Sequence, residues 1–192
     1  MDKKKLIIGI GGASGAIYGI RLLEVLREDE GVETHLVMTK TAGLNLRIET
    51  DRTVEDVHAL ADQVYKSGDL AGAISSGSFR TQGMIIAACS MRLLSAIVHS
   101  HTDDLVSRAA DVCLKDRRPL VLMPREAPLH QGHCKLLYEA AQLGAIIAPP
   151  MPAFYNKPST IDDLVNHTIG RVLDLVGIEA DLVDRWTGAA SP

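Results

Sequence analysis

Short apolar segments alternate along this chain with segments in which apolar residues recur every three or four positions. The first apolar segment, residues 6–10, lies between lysines and a glycine-rich turn, as is typical of a buried strand in a parallel sheet. After the turn, apolar residues recur at helical spacing, at Ile17, Ile20, Leu23 and Leu26. The pattern therefore predicts that the chain opens with a strand, a glycine turn and a helix.

The same alternation continues towards the C-terminus. It predicts further strands at residues 33–38, 84–89, 120–123 and 145–148. It predicts helices near residues 43–48 and at 53–64, 91–98, 105–114, 133–143 and 161–176. Apolar strands separated by helices indicate a parallel sheet that is covered on both faces. We therefore expect one α/β domain over residues 1–192, a three-layer α/β/α Rossmann-like (flavodoxin-like) fold with a parallel sheet of five to six strands, and a C-terminal tail at 178–192.

The composition favours a folded domain that does not bind nucleic acid. Hydrophobic residues make up 46% of the 192 residues, which is too many for a disordered chain. The net charge is −4 and the pI is about 6.0, whereas a nucleic-acid-binding domain usually presents a basic face. This balance still leaves room for a local cluster of arginine and lysine that binds an anion.

Cysteine usage and the N-terminal segment indicate a cytoplasmic protein. Cys89, Cys113 and Cys134 are scattered and odd in number, so we expect neither a disulfide framework nor a structural zinc site. The apolar run that follows the N-terminal lysines is too short for a signal peptide or a membrane span. We therefore expect a cytoplasmic location and no membrane segment.

The glycine turn is the first candidate for a binding site. Residues 11–15, Gly-Gly-Ala-Ser-Gly, join the first strand to the first helix, where backbone N–H groups and the helix dipole favour an anion. The turn lacks the full G-x-G-x-x-G spacing of a dinucleotide site. It either binds a phosphate group or serves only as a tight connection. Ligands of such sheets bind at the carboxyl ends of the strands, near the point where the strand order reverses.

Polar residues follow two other predicted strands and are expected at the same edge of the sheet. Ser90 comes directly after the strand at 84–89, where it either caps the next helix or also contacts a ligand. Arg125 and Glu126 come after Pro124, which ends the strand at 120–123. They form either a solvated pair or a phosphate-binding cation beside a general acid/base.

Other candidates lie on helices and loops further along the chain. Arg108 and Lys115 share a helical face near Arg117 and Arg118, and this cluster is either a solvated face or an anion site. A proline-fixed loop presents Phe154 and Tyr155. Trp186 packs against the domain's own core, a neighbouring subunit or a planar ligand.

Two familiar kinds of site are not supported by the sequence. His130 and His133 have a spacing that can bind zinc, but no third ligand is apparent, so we expect no metal. The G-x-S-x-G motif of a hydrolase nucleophile is absent as well.

Taken together, the motifs resemble the UbiX/Pad family of flavin prenyltransferases. The resemblance runs from residue 6 to residue 186. It is carried by GASGA at 12–16, ISSGSF at 74–79, RAADV at 108–112, PLVL at 119–122, REAPLH at 125–130 and PPMPAFY at 149–155. Each motif is weak alone, but their order and spacing are specific. The segment LHQGH at 129–133 is closer to the ubiquinone-pathway branch of the family than to the branch of hydroxyarylic-acid operons.

The resemblance implies roles for individual residues. The implied catalytic residues are Glu126, near the reacting edge of the flavin, with Glu49 and Ser14. The implied FMN-binding residues are Gly12, Ala13, Ser14, Thr39, Ser90, Met91, Arg92, Leu93 and Arg125. Thr39 stands where the family usually has serine, and its hydroxyl can make the same contact. The residues implied for dimethylallyl phosphate are Tyr155, Arg171, Lys115, Arg108 and Trp186.

The resemblance also implies an activity, partners and an assembly. The enzyme would join the dimethylallyl group of dimethylallyl phosphate to N5 and C6 of reduced FMN, without a metal. The prenylated FMN would serve a UbiD-type decarboxylase. The family forms dodecamers with sites at subunit interfaces, so one subunit would not contain a whole site.

Two alternative functions stay open at this point. One is a flavin-dependent decarboxylase that acts on aromatic acids or peptidyl cysteines, although the catalytic histidine and Asn-rich motif of the cysteine decarboxylases are not found here. The other is a non-catalytic flavin carrier.

Overall fold

The computed structural model describes residues 3–183 and residue 188. Within this part of the chain, six strands form one sheet in the order β3-β2-β1-β4-β5-β6, and every neighbouring pair is parallel. The strands are β1 (Lys4–Ile10), β2 (Val32–Met38), β3 (Gln63–Tyr65), β4 (Gly83–Cys89), β5 (Leu120–Pro124) and β6 (Ile146–Ile147). The strand order reverses between β1 and β4, which is where such sheets bind ligands.

Helices cover both faces of the sheet. They are α1 (Ala16–Arg27), α2 (Lys40–Glu49), α3 (Val54–His58), α4 (Met91–Val98), α5 (Leu105–Lys115), α6 (Gln131–Gln142) and α7 (Ile161–Asp174), with a 3₁₀ helix at Ala73–Ser75. The predicted three-layer parallel α/β fold is therefore confirmed, with six strands.

Successive residues of a strand belong to two separate hydrophobic cores, because their side chains point to opposite faces of the sheet. Leu6 and Ile8 of β1 belong to the core under α1, α2, α3 and α7. Ile7, between them, belongs to the core under α4, α5 and α6. All seven residues of β4 are buried, which explains why the central strands appear in the sequence as continuous apolar runs.

The predicted helix at residues 53–64 is right as far as His58 and wrong beyond it. A capping box formed by Thr53 and Asp56 starts α3, but the helix ends at His58, and residues 63–65 pair with β2 as the edge strand β3. The Asp62 carboxylate accepts hydrogen bonds from the backbone N–H and the hydroxyl of Thr34, at 2.7 and 2.9 Å. Bonds to a charged group contribute about 1.5–3 kcal/mol each, whereas helix propensities differ by about 0.7 kcal/mol or less, so the strand pairing prevails.

The start of the predicted tail packs onto the domain. Ile178 is buried, and Ala180 and Leu182 lie against the same core as α7. Trp186 lies outside the described residues. No helix in the described part of the chain is long and apolar enough to cross a membrane.

Candidate active site

Three helices begin side by side at the carboxyl edge of the sheet, after the adjacent strands β2, β1 and β4. Thr39 caps α2 by accepting a hydrogen bond from Ala42 N at 3.1 Å, and Ser90 caps α4 by accepting one from Leu93 N at 3.2 Å. The capping role predicted for Ser90 is therefore confirmed. The positive ends of the three helix dipoles lie along this edge, and the space beside them, the carboxyl-edge crevice, favours an anionic group.

The glycine turn is held tightly between β4 and α2. Gly11 N donates to Ala88 O at 3.1 Å, and a Cβ atom added to Gly11 would lie 2.4 Å from that oxygen. A Cβ on Gly12 would lie 2.7 Å from Cβ of Thr41. Both glycines are thus required by close approach of the neighbouring elements. Ser14, in the same turn, is exposed.

Glu49, the last residue of α2, brings a carboxylate to the start of α1. It accepts hydrogen bonds from Gly15 N at 2.8 Å and Ala16 N at 3.0 Å. Gly15 provides no side-chain cap for α1, so the carboxylate of another helix serves as one. Glu49 and Ser14, two of the three predicted catalytic residues, therefore lie close together beside the glycine turn.

Arg125 and Glu126 reach the same edge from β5. Arg125 N donates to Cys89 O at 3.1 Å, which joins this loop to the end of β4, and both side chains are exposed. Glu126 accepts a hydrogen bond from Ala127 N at 3.1 Å. Burial raises the pKa of the Tyr18 phenol, and the positive charge of Arg125 offsets part of that increase. Arg125 therefore lies near the first turn of α1.

The predicted residues at the start of α4 differ in what they offer a ligand. Arg92 is exposed and can reach an anion, whereas Met91 is half-buried. Leu93 is only 5% exposed and packs near Gly11, so its contribution to the crevice is its backbone and its bulk. Ala13 is also buried, which leaves its backbone as the part that can contact a ligand.

Five residues were predicted to bind the prenyl donor, and four of them are among the described residues. These four lie on opposite sides of the sheet. Arg108 and Lys115 are on α5, where Arg108 donates to Ser75 O at 3.1 Å and Lys115 pairs with Asp116 at 2.7 Å. Arg171 is on α7, across the sheet, where it pairs with Asp174 at 2.8 Å. Tyr155 contacts the same helix. A single chain therefore does not bring the two pairs together.

In the cationic cluster around α5, Arg118 makes specific contacts that a solvated side chain would not make. Arg118 donates to Phe79 O at 2.7 Å and pairs with Asp116 at 2.9 Å, so it fastens the loop before β4 to the end of α5. This role accounts for Arg118 without an anion.

His130, one of the two histidines, caps the start of α6. His130 Nδ1 accepts a hydrogen bond from Gly132 N at 3.0 Å, and the ring centroids of His130 and His133 are 3.6 Å apart. Across residues 3–183 and 188, no group of three or more His, Cys, Asp and Glu side chains is arranged to hold a metal ion.

A cavity of about 1020 Å³ lies beside α2 and β3. Among the predicted site residues, only Thr39 lines it, together with apolar side chains such as Leu44 and Val64. The glycine turn, Ser90 and Arg125 lie outside it, so the carboxyl-edge crevice is the better candidate for the chemistry.

Several residues at or near the site carry no motif of their own. Tyr18 and His167 occupy ordinary helical positions in the sequence, and only the fold places them beside Arg125 and Tyr155. The role of Glu49 as a cap for α1 is equally invisible in the sequence, because the two partners are more than thirty residues apart.

Comparison with known proteins shows which sequences and folds this chain is similar to. A flavoprotein family model matches residues 1–173. The flavin prenyltransferase UbiX of Escherichia coli K12 is 56% identical over 188 residues, which cover 97% of this chain and 100% of that protein.

Two solved structures are similar over nearly the whole chain. The dodecameric FMN-dependent UbiX-like decarboxylase of Escherichia coli O157:H7 has a TM-score of 0.94 and 50% identity, covering 96% of this chain and 100% of that one. AnUbiX, solved in complex with FMN and dimethylallyl pyrophosphate, has a TM-score of 0.95 and 46% identity, covering 98% and 100%.

Proposed function

Since this chain belongs to the flavoprotein family and, within it, to the UbiX-type flavin prenyltransferases, we propose that it joins a dimethylallyl group to reduced FMN. The observation that carries this conclusion is the 56% identity to a flavin prenyltransferase over 97% of the chain. The AnUbiX complex with FMN and dimethylallyl pyrophosphate supports both substrates. The bonds formed would be to N5 and C6 of the flavin, and dimethylallyl phosphate would be the donor.

The carboxyl-edge crevice suits an FMN phosphate group. The starts of α1, α2 and α4 offer backbone N–H groups and positive dipole ends to one monophosphate. When bound, reduced FMN supplies the nucleophilic nitrogen. We propose that the flavin is held by Gly12, Ala13, Ser14, Thr39, Ser90, Met91, Arg92, Leu93 and Arg125.

Cationic and aromatic side chains would act on the prenyl donor. Arg171, Lys115 and Arg108 would stabilise the phosphate as its bond to the allylic carbon breaks, and Tyr155 would donate a hydrogen bond to it. Aromatic faces stabilise an allylic cation. These side chains supply the positive charge that phosphate departure requires, so we expect the rate to be unchanged by EDTA.

Glu126 would move the proton that restores aromaticity after the second bond forms at C6. The departing phosphate is an alternative base. Glu49 lies beside Ser14 at the glycine turn, and we propose that the two residues help to hold the reacting ring in the crevice.

We propose that complete sites form between subunits of a homo-oligomer, a dodecamer like the UbiX-like decarboxylase of Escherichia coli O157:H7. The support from this chain is that Arg108 and Lys115 lie across the sheet from Tyr155 and Arg171. We further propose that the product passes to a UbiD-type decarboxylase and that the protein acts in the cytoplasm.

Turnover of dimethylallyl phosphate tests this function. Purified protein is incubated anaerobically with reduced FMN and dimethylallyl phosphate, with and without EDTA, and inorganic phosphate is measured. A prenyltransferase releases phosphate in step with the loss of the prenyl donor. A flavin carrier releases none, and a decarboxylase would instead produce carbon dioxide from an acid substrate with no need for the prenyl donor.

A further inference from the structure

A buried histidine lies directly behind the exposed Tyr155. The phenol oxygen of Tyr155 and Nε2 of His167 are 2.7 Å apart, and the two rings meet edge to face at 81°. Tyr155 is 52% exposed, whereas His167 is only 8% exposed. The imidazole is therefore shielded from solvent while the phenol it contacts faces outwards.

His167 also connects this contact to Arg171. The two residues are four positions apart on α7, so they lie on the same side of the helix, one turn apart. The side chain of Arg171 is 56% exposed. Tyr155, in the loop before α7, therefore contacts the helix at His167, one turn before the exposed Arg171.

The hydrogen-bond chemistry of this pair constrains how Tyr155 can act. A tyrosine hydroxyl carries one proton, and phosphate oxygens that bear negative charge only accept hydrogen bonds. If Tyr155 donated its proton to His167, it would present only lone pairs to a phosphate. If Nε2–H of His167 donates to the phenol oxygen, the phenol proton is not used by His167 and can be donated to a phosphate oxygen.

We propose that His167 is a positioning residue that donates Nε2–H to Tyr155 and so directs the Tyr155 proton to the phosphate of the prenyl donor. This inference rests on the proposed function, and it gives a role to a residue that no motif identified. His167 acts through Tyr155 and does not itself touch the substrate.

Matched polar substitutions test the role of His167. In His167→Gln, the side-chain amide reaches about as far as Nε2 and can still donate to Tyr155. In His167→Asn, the amide is one carbon shorter and does not reach. Tyr155→Phe and the double variant Tyr155→Phe/His167→Asn complete the set, and His167→Phe replaces the Asn variant if that one does not fold.

The KM for dimethylallyl phosphate, kcat and FMN affinity are measured for each variant. We expect Tyr155→Phe and His167→Asn each to raise KM by about tenfold or more, because each removes a hydrogen bond to a charged group. We expect a smaller change in kcat, unchanged FMN affinity, and recovery of KM to within about threefold of the wild type in His167→Gln. In the Tyr155→Phe background, His167→Asn adds less than about twofold, because its partner is already absent.

The outcomes separate this inference from the proposed function. If Tyr155→Phe raises KM but His167→Asn does not, the role of His167 is overturned and the proposed function stands. If the two effects multiply in the double variant, His167 acts independently of Tyr155 and the inference is also overturned. If the wild-type protein does not consume dimethylallyl phosphate at all, both are overturned.

Discussion

At the scale of single residues, the charged side chains near the carboxyl-edge crevice differ in their hydrogen bonds and exposure. The Glu49 carboxylate accepts two backbone hydrogen bonds, whereas Glu126 accepts one from the residue that follows it and stays exposed. Arg125 lies near Tyr18 and the start of α1. Arg125 and Glu126 are exposed and are therefore available to a ligand.

Substituting Arg125 and Glu126 separately is expected to damage different steps. Arg125→Ala removes a charge-assisted contact to FMN worth about 1.5–3 kcal/mol, so FMN affinity falls by about one to two orders of magnitude. Glu126→Gln keeps the shape of the side chain and leaves FMN binding nearly unchanged, while single turnover slows by about 10²–10⁴-fold. Flavin titration and rapid-mixing kinetics measure the two quantities.

The exposed Arg27 at the end of α1 provides a control, since Arg27→Ala leaves the crevice intact. Normal turnover together with normal flavin binding in Glu126→Gln would mean that Glu126 is only a partner of its own loop. If phosphate acts as the base, the loss in Glu126→Gln is smaller than the range above.

The residues that sequence reasoning missed share a physical reason. Tyr18 lies near Arg125, Glu49 contacts the start of α1, and Tyr155 contacts His167, and each pair joins two different elements or loops. Periodicity reports which face of one element is apolar, but it carries no information on which polar groups from two elements meet.

At the scale of elements, the sequence predicted most of the fold because burial sets the pattern. β4 is buried along its whole length, and α4 and α5 each bury one face, so their patterns were unambiguous. The helix prediction for residues 53–64 went too far because Val57, Leu60 and Ala61 have the spacing of an apolar helix face. The deciding interaction, from Asp62 to Thr34, is a tertiary contact with β2.

The start of α7 is expected to make the stability of the fold sensitive to acid. Asp163 accepts hydrogen bonds from Ser159 and Thr160, which lower the pKa of its carboxyl from 3.8 to about 2. A lowered pKa in the folded state means that the stabilisation is complete above about pH 4 and is lost as the pH falls towards about 2.

We therefore expect Asp163→Asn to be less stable than the wild type at neutral pH, and the difference to shrink as the pH falls from about 4 to about 2. Urea unfolding across this pH range measures it. Glu30→Gln, on an exposed turn before β2, removes one carboxylate without removing a cap. A difference between wild type and Asp163→Asn that does not vary with pH would show that the Asp163 charge does not stabilise α7.

At the scale of the whole molecule, one chain brings the starts of α1, α2 and α4 to one edge of the sheet but divides the predicted donor-binding residues between two layers. Arg108 and Lys115 lie on α5, while Tyr155 and Arg171 lie at α7, on the other side of the sheet. The sequence alone could not reveal this division, because both pairs appear as cations or aromatics on helices and loops. The proposed site between subunits follows from it.

Co-expressed variants test whether the site is shared. Lys115→Ala and Arg171→Ala are each expected to turn over poorly at low concentrations of dimethylallyl phosphate. If the two side chains come from different subunits, random mixing leaves about a quarter of the sites with both residues intact, and activity recovers in proportion. Mixed oligomers no more active than the separate variants would indicate that each site is built within one chain.

The mass of the flavin after one reaction tests the central claim most directly. The wild-type protein is incubated anaerobically with reduced FMN and dimethylallyl phosphate, and the flavin is released and analysed by mass spectrometry. The proposed function predicts a flavin that is heavier than FMN by one isoprenyl unit, formed in step with phosphate release. Recovery of unmodified FMN beside intact dimethylallyl phosphate would contradict it.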